Sequence, residues 1–246
     1  MRVLISIDDT DNEDSPGTGE LAASIADRIA AHGWGSARFV SRHQLYVHPD
    51  IPYTSHNSAM CFEADLTDER LGDATAMAAT YLRDTAAPGS DPGLCVVDLD
   101  ALEDPATLID FGLSAKRQVL TMPAAYGLAR QLGVHLSEHG GTGQGVIGAL
   151  AGAGLRLSGD DGRMRGSLGL PEAATTMGVA ALLAMPEVDC VRTVDGADVP
   201  ADEAIALGRK VKTVLLGGRS VLLVTASEPG APTRWRSCSN QELKAY

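Results

Sequence analysis

Across 246 residues the chain lacks any apolar run approaching the roughly 18 to 20 residues that a membrane-spanning helix needs. It also lacks a basic segment followed by an apolar one at its start, so we expect no secretory signal and a cytoplasmic location. Cysteine is scarce: Cys61, Cys95, Cys190 and Cys238 are widely separated, which fits neither a zinc-ribbon spacing nor a disulfide framework. They read as buried or incidental thiols. Basic residues are too few to balance the acids, with 20 Lys and Arg against 32 Asp and Glu and a net charge of −12. That average repels polyanions over a Debye length, about 8 Å in physiological salt, which makes long nucleic acid a poor generic partner. Internal repeats and low-complexity tracts are absent as well.

What is present divides into strand and helix patterns. A short apolar run over residues 2–8 reads as a buried strand, and Leu21, Ala22, Ile25, Ala26 and Ile29 recur at helical spacing until Gly33 ends the pattern. A strand over 37–47 is broken by Pro49 and Pro52, and another follows over 58–66. A helix starts at Thr67-Asp68-Glu69 and runs to about residue 83, and a further strand covers 94–99. This succession predicts an α+β fold with a ferredoxin-like split βαβ unit. Beyond it, helices are expected over 105–113, 123–132 and 145–154. A second, smaller α+β unit should carry an alanine-rich helix at 173–185 and strands at 190–194, 211–216 and 220–225, the last two joined through Gly217-Gly218. We expect boundaries at 1–100, 101–165 and 166–246.

The chemistry concentrates after the first strand. Asp8, Asp9, Asp11, Glu13 and Asp14 place five carboxylates within seven residues, at the position where α/β proteins carry binding loops. On extended backbone Asp9 and Asp11 share a face while Asp8 points the other way. Hard carboxylate oxygens suit Mg²⁺, and a turn in which Asp and Asn cap backbone amides is the open alternative. Ser15-Pro16-Gly17-Thr18-Gly19 precedes a helix N-terminus that favours an anion; plain capping by Ser15 or Thr18 stands beside that reading. The loop from His139 to Gly145 is glycine-rich but has no Walker lysine, so it reads either as an anion loop or as a turn for close helix packing. His43, His48 and His56 match no zinc spacing and read as surface or substrate-contacting residues. Gly127 reads as packing.

These pieces, in order, resemble the archaeal tRNA-isoleucine agmatinylcytidine synthetase family. The resemblance is carried by Ile7-Asp8-Asp9-Thr10-Asp11, Gly17-Thr18-Gly19-Glu20-Leu21-Ala22, Pro49-Asp50-Ile51-Pro52-Tyr53 through Asn57, Asp91-Pro92-Gly93, and Gly143-Gln144-Gly145-Val146-Ile147-Gly148-Ala149-Leu150-Ala151, over roughly residues 1–157. It implies a kinase-like and a ferredoxin-like domain that use ATP and Mg²⁺ to activate a cytidine base and then attach agmatine. By that likeness Asp8, Asp9 and Asp11 would hold the metal, with Asp9 and Thr18 catalytic and Thr18 able to accept a phosphoryl group. Asp8, Thr10, Gly17, Gly19, Gly143 and Gly145 would surround the nucleotide, and Tyr53, His56 and Asn57 would meet the substrate.

Most of the departures remove charge. Thr54-Ser55-His56-Asn57 has lost the family's two cations, Thr142 and Gln144 stand where its glycine loop carries Lys or Arg, and Gly19 replaces a second threonine. Neither the family's OB domain nor its zinc ribbon is evident. Phosphate-binding charge is what a tRNA binder relies on, so we expect tRNA to be disfavoured and the partners to be a nucleotide and a small molecule. The function expected is ATP- and Mg²⁺-dependent phosphotransfer or amine ligation. The alternatives are a nucleotide- or ligand-binding regulatory module without turnover, and a tRNA cytidine-modifying enzyme completed by a separate RNA-binding subunit.

Overall fold

The apolar run at the start of the chain is a strand buried on both faces, β1 (Arg2–Asp8). Val3, Ile5 and Ile7 point to one side and Leu4 to the other, the period-two alternation of extended backbone, and each side has its own core. The computed structural model describes residues 1–51 and 57–246, which form two compact units, Met1–Ser158 and Gly159–Tyr246.

In the first unit β1 is followed by α1 (Thr18–Ala31), two short strands β2 (Gly35–Ala37) and β3 (Ser41–Gln44), β4 (Ser58–Leu66), α2 (Leu71–Thr85) and β5 (Gly93–Asp98). Then come α3 (Pro105–Ala115), α4 (Met122–Leu132), β6 (His135–Glu138) and α5 (Gly145–Ser158). β1 lies between β4 and β5, antiparallel to both, while β2 and β3 pair with the far edge of β4 and β6 with the far edge of β5. Ile25 and Ile29 of α1, with Ala74, Ala78 and Leu82 of α2, cover the face of Val3, Ile5 and Ile7. Leu108, Ala125, Leu150 and Ala153 of α3, α4 and α5 cover the face of Leu4, Cys61, Cys95 and Val97. The α+β class is thus realised, with three strands, β2, β3 and β4, between α1 and α2 where two were expected.

Local chemistry sets the element ends. Gly33 adopts φ +68 beyond α1, and the amides of Gly33 and Trp34 return to Ala30 and Ile29 in a Schellman turn. The strand expected over 37–47 is divided into β2 and β3, although Arg38 still donates to Glu63. Glu69 takes φ +69, which a helix interior does not admit, and α2 therefore starts at Leu71 instead of residue 67. β6 was not expected: four residues, His-Leu-Ser-Glu, form a polar edge strand with too little apolar alternation to stand out.

Helix α5 approaches the sheet through glycine. A Cβ at Gly145 would lie 2.0 Å from the Asp91 carbonyl oxygen, one at Gly148 1.7 Å from Asp8 Oδ2, and one at Gly152 2.5 Å from Ser6 Oγ. Residues 145, 148 and 152 share one helix face at the i, i+3, i+7 spacing, and that face lies against β1 and β5. Gly154 plays the same part against α3, where a Cβ would sit 2.1 Å from the Leu108 carbonyl oxygen. Gly127 differs, because nothing lies within 4 Å of where its Cβ would be, so packing is not its reason.

The second unit contains β7 (Arg163–Met164), β8 (Thr176–Gly178), α6 (Val179–Leu183), β9 (Cys190–Thr193), β10 (Ala204–Ala206), β11 (Val214–Leu216), β12 (Arg219–Ala226) and β13 (Trp235–Ser237). β12 is antiparallel to β11 and β13 and parallel to β9. Gly217 and Gly218, at φ +59 and +70, make the expected hairpin. The helix expected over 173–185 is confined to α6, because Thr176, Met177 and Gly178 pair with β10 and Gly178, a poor helix former, is the N-cap residue. Cys190 and Cys238 belong to the core here, and all four cysteines are buried and free.

Two glycine substitutions test this account by urea unfolding. Gly127→Ala, in an open helix position, should stabilise the chain by about 0.5 to 1 kcal/mol. Gly154→Ala should destabilise it by about 1 to 3 kcal/mol through overpacking against Leu108; equal effects of the two would refute the contact.

Candidate functional site

β1 delivers Asp8 at its last extended residue, on the α5 side of the sheet. The carboxylate lies in the gap left by Gly148 and is only 9% exposed. Burial is the largest reason its pKa rises to about 8; the nearby Asp9 and Asp11 charges add to the rise and a hydrogen bond from the Asp9 amide opposes it. Asp9 takes φ +52, a left-handed conformation that Asp tolerates better than most residues. The extended alternation expected through Asp11 therefore stops at Asp8, and Asp8, Asp9 and Asp11 line one cleft together. Asp9 is pushed up to about 6, by burial first and then by the charge of Asp91, although the Asp91 amide donates to it.

Thr18 opens α1 with its side chain turned to the acids. Its Oγ1 donates to Asp11 Oδ1 at 2.7 Å and accepts from Thr10 Oγ1 at 3.1 Å. Thr18 does not cap the helix: Gly17 is the N-cap residue and no side chain caps it, while Ser15 accepts from the Asn12 amide in the preceding turn. The capping alternative for Ser15 and Thr18 is thus not the arrangement found. Thr10 is buried behind Thr18, Gly17 is exposed at the rim of the turn, and Gly19 is buried within α1.

The other expected residues divide. Gly145 lines the cleft, whereas Gly143 takes φ +83 beside Glu138 and is not on the lining. Asn57 reaches the lining, and its amide donates to the Tyr46 carbonyl at 2.7 Å. Tyr53 and His56 lie outside the described residues. His43 is neither on the surface nor on the cleft: it is fully buried in β3, its Nε2 2.7 Å from Ser41 Oγ.

Residues not anticipated complete the cleft. Asp50 adds a fourth carboxylate, Gln144 a polar wall, and Leu45, Ile51, Val119, Leu120 and Ile147 an apolar one. No Lys, Arg or His belongs to the lining among the described residues. Asp91 organises the glycine loop: its Oδ1 accepts from the Thr142 amide at 2.6 Å, and its Oδ2 accepts from the Thr142 hydroxyl and, at 3.4 Å, from the Gln144 amide. The loop amides thus face a carboxylate of the same chain. The signal in the sequence was Asp91-Pro92-Gly93 itself, but its partners lie about fifty residues away and no local pattern joins them.

The donor set is compatible with Mg²⁺, having hard carboxylate oxygens and, among the described residues, no cysteine or histidine on the lining. Among the described residues, no three His, Cys, Asp or Glu side chains already form a ligand cluster, so Asp8, Asp9 and Asp11 do not converge as a preformed triad. Mg²⁺ needs only one or two carboxylates when water and phosphate oxygens complete its shell.

No protein-family model and no curated protein matches the chain. Among solved structures it is similar to apo TiaS, a tRNA agmatidine synthetase, at 27% identity and a TM-score of 0.54 over 63% of this chain. It is also similar to a tRNA fluorescent labeling enzyme, at 28% identity and a TM-score of 0.53 over 63% of this chain. A complex of TiaS with tRNA and ATP shares the fold over 82% of this chain, at 23% identity and a TM-score of 0.57. The chain spans only 35%, 36% and 50% of those three proteins.

Burial of Asp8 makes stability fall with pH. The folded state holds the proton up to about pH 8 and the unfolded chain releases it near 3.8, so between those values the unfolded state binds fewer protons. The ligand-free protein should lose stability as pH rises from 5 to 8, at about 1.4 kcal/mol for each pH unit over which the two states differ by a full proton. Thermal unfolding of Asp8→Asn should show a flatter profile and higher stability at pH 8. A wild-type profile as flat as that of Asp8→Asn would contradict the burial argument.

Proposed function

We propose that the chain is an ATP- and Mg²⁺-dependent enzyme of phosphotransfer or amine ligation, working at the cleft of Asp8, Asp9, Asp11 and Thr18. The observation that carries this reading is the pairing of a helix-start hydroxyl with three crowded carboxylates on a cleft whose described lining includes no basic side chain. Carboxylates alone would repel a polyphosphate. With a divalent cation between them the same groups attract it, and the cation also removes the cost of holding Asp8 and Asp9 charged.

On this reading Asp8 and Asp9 contribute oxygen ligands, and Asp11 stays with Thr18. Bound Mg²⁺ would supply charge neutralisation for a transferring phosphoryl group. Thr18 Oγ1 presents its proton to Asp11 Oδ1 at 2.7 Å, the arrangement of a hydroxyl nucleophile beside a carboxylate base. Thr10 fixes the remaining lone-pair direction of Thr18 by donating to it. Leu45, Ile51 and Val119 restrict water on the opposite wall.

The similarity to apo TiaS supports the same class and adds a second reading, the modification of tRNA. The charge-based expectation against tRNA receives no support from that comparison, since a protein named for its tRNA substrate is among those resembled. Net charge is an average, and it does not decide what a local surface binds.

Calorimetry with Mg²⁺-ATP tests the proposal. Wild-type protein should bind with an affinity that rises from pH 6 to pH 8 as the protons on Asp9 and Asp8 are displaced, and titrations in two buffers of different ionisation enthalpy should report proton release. Asp9→Asn should weaken binding about tenfold or more, the effect of about 1.4 kcal/mol. Absence of binding at millimolar nucleotide would remove this function. Thr18→Ala should retain binding and lose phosphoryl acceptance, read by mass spectrometry of the intact chain.

A further inference from the structure

Asp91 lies just before β5 and is 8% exposed. Its carboxylate takes the Thr142 amide, the Thr142 hydroxyl and the Gln144 amide, and its carbonyl accepts from the Gly145 amide at 3.1 Å. On its other side its own amide donates to the Asp9 carboxylate. The glycines of the loop give Asp91 the room to do this. A Cβ at Gly141, already at φ +59, would lie 1.8 Å from Asp91 Oδ1, and one at Gly145 would strike the Asp91 carbonyl. Two amides of one glycine-rich loop and a hydroxyl converging on one oxyanion resemble a backbone anion nest.

We propose that Asp91 is a positioning residue whose carboxylate fills the anion seat of the glycine loop, holding Gln144 and Gly145 on the cleft wall and, through its main-chain amide, Asp9 opposite them. The requirement is chemical as well as steric. The seat offers three donors, and an ionised carboxylate is acceptor-only, so it can satisfy all of them. Asparagine has the same shape but presents N–H groups on one side. It can keep the Thr142 amide and must then meet the Gln144 amide donor to donor. A second consequence is that the Thr142, Gln144 and Gly145 amides are already taken by Asp91 and do not cradle a phosphate, so an anionic ligand at the cleft would be held through the acidic turn. That consequence rests on the function proposed above, whereas the seat itself does not.

Amide hydrogen exchange on the ligand-free full chain, resolved at residues 140–146, separates the two. In Asp91→Ala, protection at Thr142 and Gln144 should fall about tenfold or more, as loss of charge-assisted hydrogen bonds allows, and added sodium formate should restore it where sodium chloride does not. In Asp91→Asn the loss should fall mainly on Gln144, with Thr142 retained. Unchanged protection in both variants, or recovery equally good with chloride, overturns the proposal. Should Asp91→Ala fail to fold, Asp91→Asn decides alone: selective loss at Gln144 supports the seat, and wild-type protection there refutes it. Mg²⁺-ATP affinity measured on the same samples should fall about tenfold in Asp91→Asn while the melting profile stays cooperative. A wild type that binds no nucleotide but shows the exchange pattern would remove the proposed function and leave the anion seat standing.

Discussion

The close approach of α5 to β1 and β5 is the constraint on which the site depends. Helices normally keep a layer of side chains between themselves and a sheet. Here Gly145, Gly148 and Gly152 remove that layer along one helix face, and the freed space is taken by Asp8, the Asp91 carbonyl and Ser6. With alanine at 148 the Asp8 carboxylate would have to leave its present place. The same contact buries Asp8, and burial is the first cause of its raised pKa. A packing decision made in α5 therefore sets the protonation of a group contributed by β1.

That coupling explains how so acidic a turn is tolerated in a folded chain. Below about pH 8 Asp8 retains its proton, and Asp9 retains its own up to about pH 6, so the crowd is less charged than its formula. Thr18 and the Asp91 amide absorb part of the remainder, through bonds to Asp11 and Asp9. On the function proposed, the turn would respond to a cation, because ionised oxygens become available when a counter-charge makes ionisation favourable. A fixed salt bridge to lysine or arginine would have removed that response.

Much of the fold was legible because its signals are local. The two-faced apolar run of β1, the helical spacing of Leu21, Ile25 and Ile29, the glycine after α1 and the Gly217-Gly218 hairpin each act within a few residues. What was not legible depends on distant partners or on a single dihedral. The strand at 176–178 pairs with β10 and β6 pairs with β5, partners that lie far along the chain and leave no local pattern. At the candidate site, the acidic turn and Thr18 could be singled out from motif order, and they line one cleft. Their mutual arrangement was not legible, because it hinges on φ +52 at Asp9, which ends the alternation that would have sent Asp8 away from its neighbours. Asp91 was visible as part of a motif, but its role emerges only when residues 141–145 are folded against it.

The residues that depart from the resembled family fit together physically. A lysine or arginine in the glycine loop would bring a cation beside Asp91 and draw its carboxylate away from the loop amides; Thr142 instead supplies an amide and a hydroxyl that hold it in place. With that seat filled from within, the loop contributes geometry to the cleft and no net positive charge. On the function proposed, the attraction for an anionic ligand would then come from the acidic turn, where Asp8 and Asp9 line the cleft and would offer oxygens to a cation. On the function proposed, binding strength would follow metal occupancy and pH more than the basic side chains whose absence first marked the sequence, and the net charge of −12 ceases to be an objection to phosphate chemistry at this cleft.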